Sequence, residues 1–328
     1  MERLPYLDYA RVFVAYLVIF GHLLAMDNHT PRDFIYAFHM PFFFLVSGML
    51  HKFNGQIQWQ KYLRTIGVPI LFFNAIYFFI INPIYLKLGV YGEGGDITYI
   101  DCLQNGLLQL KSFVLENGNI PSGVTWFLIV LLYVKLLMDA FKIHPILTGA
   151  LYITAFVLLI GMKVKFCYIT NALMVFPFYW IGAKFKPYIE KIVFKHGSIL
   201  YAFLFFILLI GFVWYNGRTS TRGVVFGNAP VPANILLFYA SGLIGSIMVL
   251  FISAKFKSNK HITYIATSLI TILGMQAIFN DPFRTFCSTE HYGLMAIIAI
   301  IILLLCTGIH WLIMKYCPMF LGKIKSNK

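Results

Sequence analysis

The chain has 328 residues, of which 60% are hydrophobic and only 12% charged, with a mean hydropathy of +0.79; ordinary soluble domains carry about 25% charged residues. This composition excludes a soluble globular protein. The net charge of +14 would suggest a nucleic-acid partner in a soluble chain, but in a membrane protein it collects in cytoplasmic loops, so no nucleic-acid partner is expected.

Apolar runs close to 20 residues recur along the whole length, which fits helices rather than the alternating strands of a β-barrel. In chain order ten spans are predicted, near residues 9–26, 33–51, 65–86, 123–142, 145–162, 166–184, 199–216, 232–254, 261–280 and 292–314. Each can cross a hydrocarbon core of roughly 30 Å. The first apolar run has no small-x-small cleavage site and contains His22, so it is read as a retained span rather than a signal peptide. With both termini cytoplasmic, seventeen of the 26 Lys and Arg fall on the inner side and eight on the outer, with Lys135 inside the fourth span. This bias predicts an N-in, C-in topology. The fold class is therefore an all-α polytopic membrane protein, one integral-membrane domain over residues 1–328 with no separate soluble domain.

The longest connection, residues 87–122, is an outer loop. It holds the Gly-rich "YGEGGDITY" and then "YIDCLQNGLLQLKSFV", whose apolar residues follow a helical period. The five cysteines form no CxxC pair, so neither a disulfide framework nor a metal site is expected.

Ionisable residues inside spans are costly and point to function. Arg11 and His22 are eleven positions apart. At 100° per residue that puts them on one stripe, with about 16 Å of rise between them. Asp8 lies one turn before Arg11 and can pair with it. Arg11 alone also reads as an interfacial anchor, and His22 alone as a buried imidazole bonded to a carbonyl; their shared face favours a site. In "YAFHMPFFFLVSGML", running inward, His39 falls within about a turn of the depth of His22. Pro41 is expected to kink this second span, and Ser47 with Gly48 permits close approach of a helix or a ligand. Asn74, Asn171, Gln276 and Trp126 are further candidates for lining a site, with interhelical bonds and interface anchoring as their commoner uses. The outer "NGRTSTRGVVFGNAPVP" suits glycan contact or plain solvation.

The combination of "YLDYARVFVAYLVIFGH", "FHMPFFFLVSG", "KYLRTIGVPILF" and "TWFLIVLLYVKLL" resembles the acyltransferase-3 family of bacterial integral-membrane O-acyltransferases. The resemblance implies transfer of an acyl group, commonly acetyl, from acyl-coenzyme A on the cytoplasmic side to a hydroxyl of a cell-surface or lipid-linked carbohydrate. It implies residence in the bacterial inner membrane. Acetyl-coenzyme A is then a donor substrate, no permanently bound cofactor is expected, and the partners are acyl-coenzyme A, the glycan acceptor and membrane lipids. By the same resemblance His22 is the catalytic histidine and Arg11 the motif arginine. Related sugar acetylases often carry an "L-G-x-H" histidine late in the chain, where this sequence reads "ILGMQ" with Gln276.

The chemistry needs a base for the hydroxyl proton and a donor for the oxyanion. Imidazole, with an ordinary pKa of about 6.5, suits the first task. His39, Ser47 or backbone amides near Pro41 could supply the second, His39 being preferred. Arg11, Lys61 and Arg64 could take the phosphates of coenzyme A, or in the case of Lys61 an anionic lipid. The competing function is a transporter or flippase of a polysaccharide or lipid-linked sugar, but Asp139 is the one acidic residue within a span beyond the first, near a cytoplasmic end, so a proton relay is poorly supported.

Overall fold

The computed structural model describes residues 4–24, 29–90, 98–116, 121–196, 199–219, 234–257, 259–287 and 291–323, and every regular element among them is helical. They are α1 (Pro5–Leu23), α2 (His29–Tyr36), α3 (His39–Met49), α4 (Trp59–Lys87), α5 (Tyr99–Glu116), α6 (Trp126–Ile143), α7 (Pro145–Gly161), α8 (Ile169–His196), α9 (Ile199–Thr219), α10 (Ile235–Ser253), α11 (Lys260–Thr267), α12 (Leu269–Met275), α13 (Ala277–Phe286) and α14 (Tyr292–Tyr316). Among the described residues five stretches are long and apolar enough to cross a membrane, or up to seven if each bent helix pair counts as one, and α7 is a shorter apolar helix of 17 residues. The protein is a multi-pass membrane protein. Leu, Ile and Phe side chains stand exposed along α7 and α9, as surfaces facing lipid tails do.

The second predicted span is not one helix. Residues 29–49 form α2 and α3, of 8 and 11 residues, broken at Ala37 and Phe38, and neither piece alone reaches the roughly 20 residues of a span. Pro41 is the cause: it has no N–H for the carbonyl of Ala37, four residues earlier, and its ring crowds that carbonyl. The disturbance therefore falls one turn upstream of the proline, which itself sits harmlessly in the first turn of α3.

The ninth span is bent as well. α11 and the run Leu269–Phe286 meet at 54°, where the Ser268 hydroxyl donates to the carbonyl of Ile265 at 2.8 Å and lies 3.3 Å from Thr307 Oγ1. Back-bonding serines bend helices in this way. The sixth span extends beyond its predicted end, α8 continuing through Pro177 and Pro187 to His196. In the long connection after α4 "YIDCLQNGLLQLKSFV" is helical, within α5; the Gly-rich turn before it and most of the 216–232 loop lie outside the described residues.

The core is built around α3, where Phe42, Phe44 and Leu45 have at most 1% exposure, packed with Phe178 and Tyr179 of α8 and Phe238 of α10. Near one end of the bundle sits a buried charge cluster. The Asp139 carboxylate is 3.1 Å from Nε2 of His51 and accepts the backbone N–H of Gln58 at 3.0 Å. Nδ1 of His51 is 2.9 Å from the Tyr179 hydroxyl, and the Lys135 ammonium lies 5.3 and 5.9 Å from the ring centres of Tyr62 and Tyr179. Asp139 is thus tied into helix packing. Buried polar groups paired in this way tie neighbouring elements together, because removal of either partner leaves the other unsatisfied.

Candidate active site

α1 carries His22 in its last turn, and the break between α2 and α3 brings Tyr36 and His39 to it. Oη of Tyr36 is 3.0 Å from Nδ1 of His22. The Tyr36 ring stands edge-on between the two imidazoles, 5.8 Å from His22 and 4.8 Å from His39, centre to centre. The guanidinium of Arg32, one turn earlier on α2, lies 5.0 Å from the Tyr36 ring centre.

Nδ1 of His39 is 3.0 Å from the carbonyl oxygen of Ile35. A carbonyl can only accept, so Nδ1 carries the proton and Nε2 of the neutral ring is a bare lone pair. His39 in this form has no N–H to offer an oxyanion. As an oxyanion donor, the part expected of it from sequence, His39 would have to carry a proton on Nε2 as well.

His22, Tyr36 and His39 line a cavity of about 60 Å³, together with Val18, Trp126 and Gln276, large enough for a few water molecules. Trp126 closes one wall with its ring stacked on Tyr168 at 5.7 Å. Gln276 stands at the junction of α12 and α13 with 1% exposure, and neither atom of its carboxamide has a hydrogen-bond partner among the described residues. A buried unpaired amide costs about 1–3 kcal/mol. Such a cost is tolerated where a ligand completes the bonds.

Four sequence candidates, His22, His39, Trp126 and Gln276, therefore share one cavity. The others lie apart from it. Arg11 bonds the Asp8 carboxylate and donates from Nε to the carbonyl of Leu7 at 3.2 Å, on the same helix as His22 but about 16 Å of rise away. Lys61 donates to Oε1 of Gln58 at 2.8 Å, and Arg64 is exposed; among the described residues no hydrogen bond or ion pair joins either to Arg11. Ser47 is half-buried two turns beyond His39 and does not line the cavity. Asn74 bonds Thr125 and the backbone of Ser122 ahead of α6, which is a packing use. The residues missed from sequence are Tyr36 and Arg32. Their signal was helical spacing: Tyr36 is three residues before His39, Arg32 four before Tyr36.

In this polytopic helical protein two histidines, one buried and one half-buried, thus face one small cavity. Residues 4–315 match the acyltransferase-3 family, described as an acyltransferase domain, and the chain belongs to that family. A curated relative is the nodulation protein NolL of Sinorhizobium fredii (strain NBRC 101917 / NGR234), 25% identical over 212 residues. That alignment covers 59% of this chain and 52% of NolL, so the chain spans about half the length of the curated relative it matches. No solved structure matches the chain.

Proposed function

We propose that this protein transfers an acyl group, most simply acetyl, from acyl-coenzyme A on the cytoplasmic side of the bacterial inner membrane to a hydroxyl of a cell-surface or lipid-linked carbohydrate. The observation that carries this reading is the cavity where His22, Tyr36 and His39 meet the unpaired carboxamide of Gln276. In the reaction the acceptor oxygen attacks the thioester carbonyl carbon while Nε2 of His22 takes its proton. The C–S bond then breaks, and the leaving thiolate receives that proton to give free coenzyme A and an ester. For this role Nδ1–H of His22 donates to the Tyr36 hydroxyl oxygen, leaving Nε2 as the lone pair. The NH₂ of Gln276 is the donor for the oxyanion, and His39 holds the break between α2 and α3 through Ile35.

In the same reading the protein is one domain with ten crossings and both termini inside, as the distribution of Lys and Arg favours. The pair with Asp8 fixes the Arg11 guanidinium and leaves N–H groups to spare for the phosphates of coenzyme A, with Lys61 and Arg64 as exposed auxiliaries. The charged nucleotide stays at that end while the slender acyl-bearing arm spans the interval to His22. Membership of the acyltransferase family weighs against the transporter.

The test is acyl-coenzyme A consumption by purified protein in detergent, with and without glycan acceptors. Tyr36→Phe should lower kcat about tenfold with little change in KM, the effect of losing one orienting hydrogen bond in the transition state. Unchanged kcat in that variant removes Tyr36 from the mechanism. Absence of turnover in well-folded wild type, over a range of acceptors, counts against acyl transfer.

A further inference from the structure

The helix that carries Gln276 continues away from the cavity with more polar character than a membrane helix requires. Asn280 is one turn on and Arg284 two turns on, so all three lie on one face, spread over about 12 Å of rise. Asn280 is 2% exposed, and like Gln276 it has no hydrogen-bond partner among the described residues at either carboxamide atom. Two fully buried, fully unpaired amides in successive turns are not explained by folding, because apolar side chains would pack there at lower cost.

The backbone at this point is secured independently of those amides. Pro282 leaves the carbonyl of Ile278 without its helical donor, and the hydroxyl of Tyr85 from α4 donates to it instead. The helix is held without any contribution from its polar stripe.

At the far end of the stripe the Arg284 side chain is 38% exposed, with a 3.9 Å ion pair to Asp281. The charges of Arg284 and Arg32 are both near enough to act on His22 and on Tyr36. Two arginines from different helices thus stand beside the cavity-lining residues, Arg32 over the Tyr36 ring at 5.0 Å and Arg284 on the helix that carries Gln276.

We propose that Asn280 and Arg284 extend the site beyond Gln276 as its acceptor-recognition residues: the Asn280 carboxamide takes hydroxyl groups of a glycan, and Arg284, assisted by Arg32, takes an anionic group on that glycan about 12 Å from the acylated hydroxyl. The anionic group is a carboxylate or a phosphate, chemistries an arginine reads alike. The assignment rests on the acyltransfer reading for its reaction, but acceptor binding is measurable without turnover.

The experiment titrates purified full-length protein in detergent with three probes: a neutral glucosyl disaccharide, its glucuronosyl counterpart and a glucosyl phosphate. Binding is followed by calorimetry, and acetyl transfer from acetyl-coenzyme A is followed in parallel. The expected result is binding of one or both anionic probes at least tenfold tighter than the neutral one, with Arg284→Gln abolishing that preference and leaving neutral binding unchanged. The tighter of the two anionic probes identifies the source of the charge. Asn280→Leu should weaken all three probes while raising the melting temperature of the unliganded protein, because it removes an orphaned buried amide; a purely structural asparagine would move binding and stability in the same direction. Equal binding of neutral and anionic probes by wild type, or a preference that survives Arg284→Gln, overturns the proposal even where acetyl transfer is normal. Charge-dependent, Arg284-dependent binding without transfer upholds the recognition site and sinks the reaction.

Discussion

His22→Ala should lower acyl transfer by about 10² to 10⁴-fold, the range for loss of a positioned general base, while the purified protein keeps its elution profile and helicity. The separation of activity from folding follows from where the ring sits. His22 is in the last turn of α1, half-buried at the cavity, and its one side-chain hydrogen bond among the described residues is to a tyrosine hydroxyl that water in the enlarged cavity can satisfy. His39→Ala makes the contrast. That ring is 5% exposed and bonds the carbonyl of Ile35 beside the break in the second span, so its loss should cost stability as well as turnover. Acyl-coenzyme A consumption and thermal unfolding, measured on both variants, separate the two roles. Normal turnover in folded His22→Ala would remove the histidine from the chemistry altogether.

Much of this site was legible in the sequence because its signals are local. Ionisable residues in apolar runs stand out, and the eleven-residue interval from Arg11 to His22 specifies a shared face. The kinking effect of Pro41 was legible too, but its site was not: the break follows the missing bond to Ala37 and so falls upstream. Tyr36 was hidden because a tyrosine in an aromatic-rich segment reads as packing until its hydroxyl is seen beside His22. The partners of Asp139 were out of reach for another reason. Its acceptor bond to Gln58 spans 81 positions, and the carboxylate that looked isolated in sequence is held by residues of the segment that joins α3 to α4. Long-range pairings leave no mark in the periodicity of either segment, which is also why Gln276 could be noticed as a polar intruder without being joined to His22.

Gly48→Val and Gly182→Val should each prevent accumulation of folded protein, for a reason that lies in the core rather than in the chemistry. α3 and α8 cross there with their backbones in direct contact. A Cβ on Gly48 would stand 2.0 Å from the carbonyl oxygen of Tyr179, and one on Gly182 would stand 2.0 Å from that of Leu45. The contact is reciprocal, small residues on both helices allowing an approach that any side chain forbids. Overpacking a core usually costs about 1–3 kcal/mol when side chains can rotate away; here the obstacle is main chain on both sides, so relief requires the helices to separate. Separation would also disturb Tyr179, whose hydroxyl bonds His51 in the buried charge cluster, and would shift α3, which begins at His39. Even the smaller Gly48→Ala should therefore lower the thermal midpoint by roughly 5–10 °C, whereas Ser47→Ala, at the neighbouring half-buried position, should leave it within about 2 °C of wild type. The check is thermal unfolding in detergent across the four variants, with recovery of monodisperse protein as the companion measurement. Stability in Gly48→Val equal to that of Ser47→Ala would mean that α3 and α8 do not touch at this crossing, and the placement of His39 at the cavity, which depends on it, would have to be redrawn.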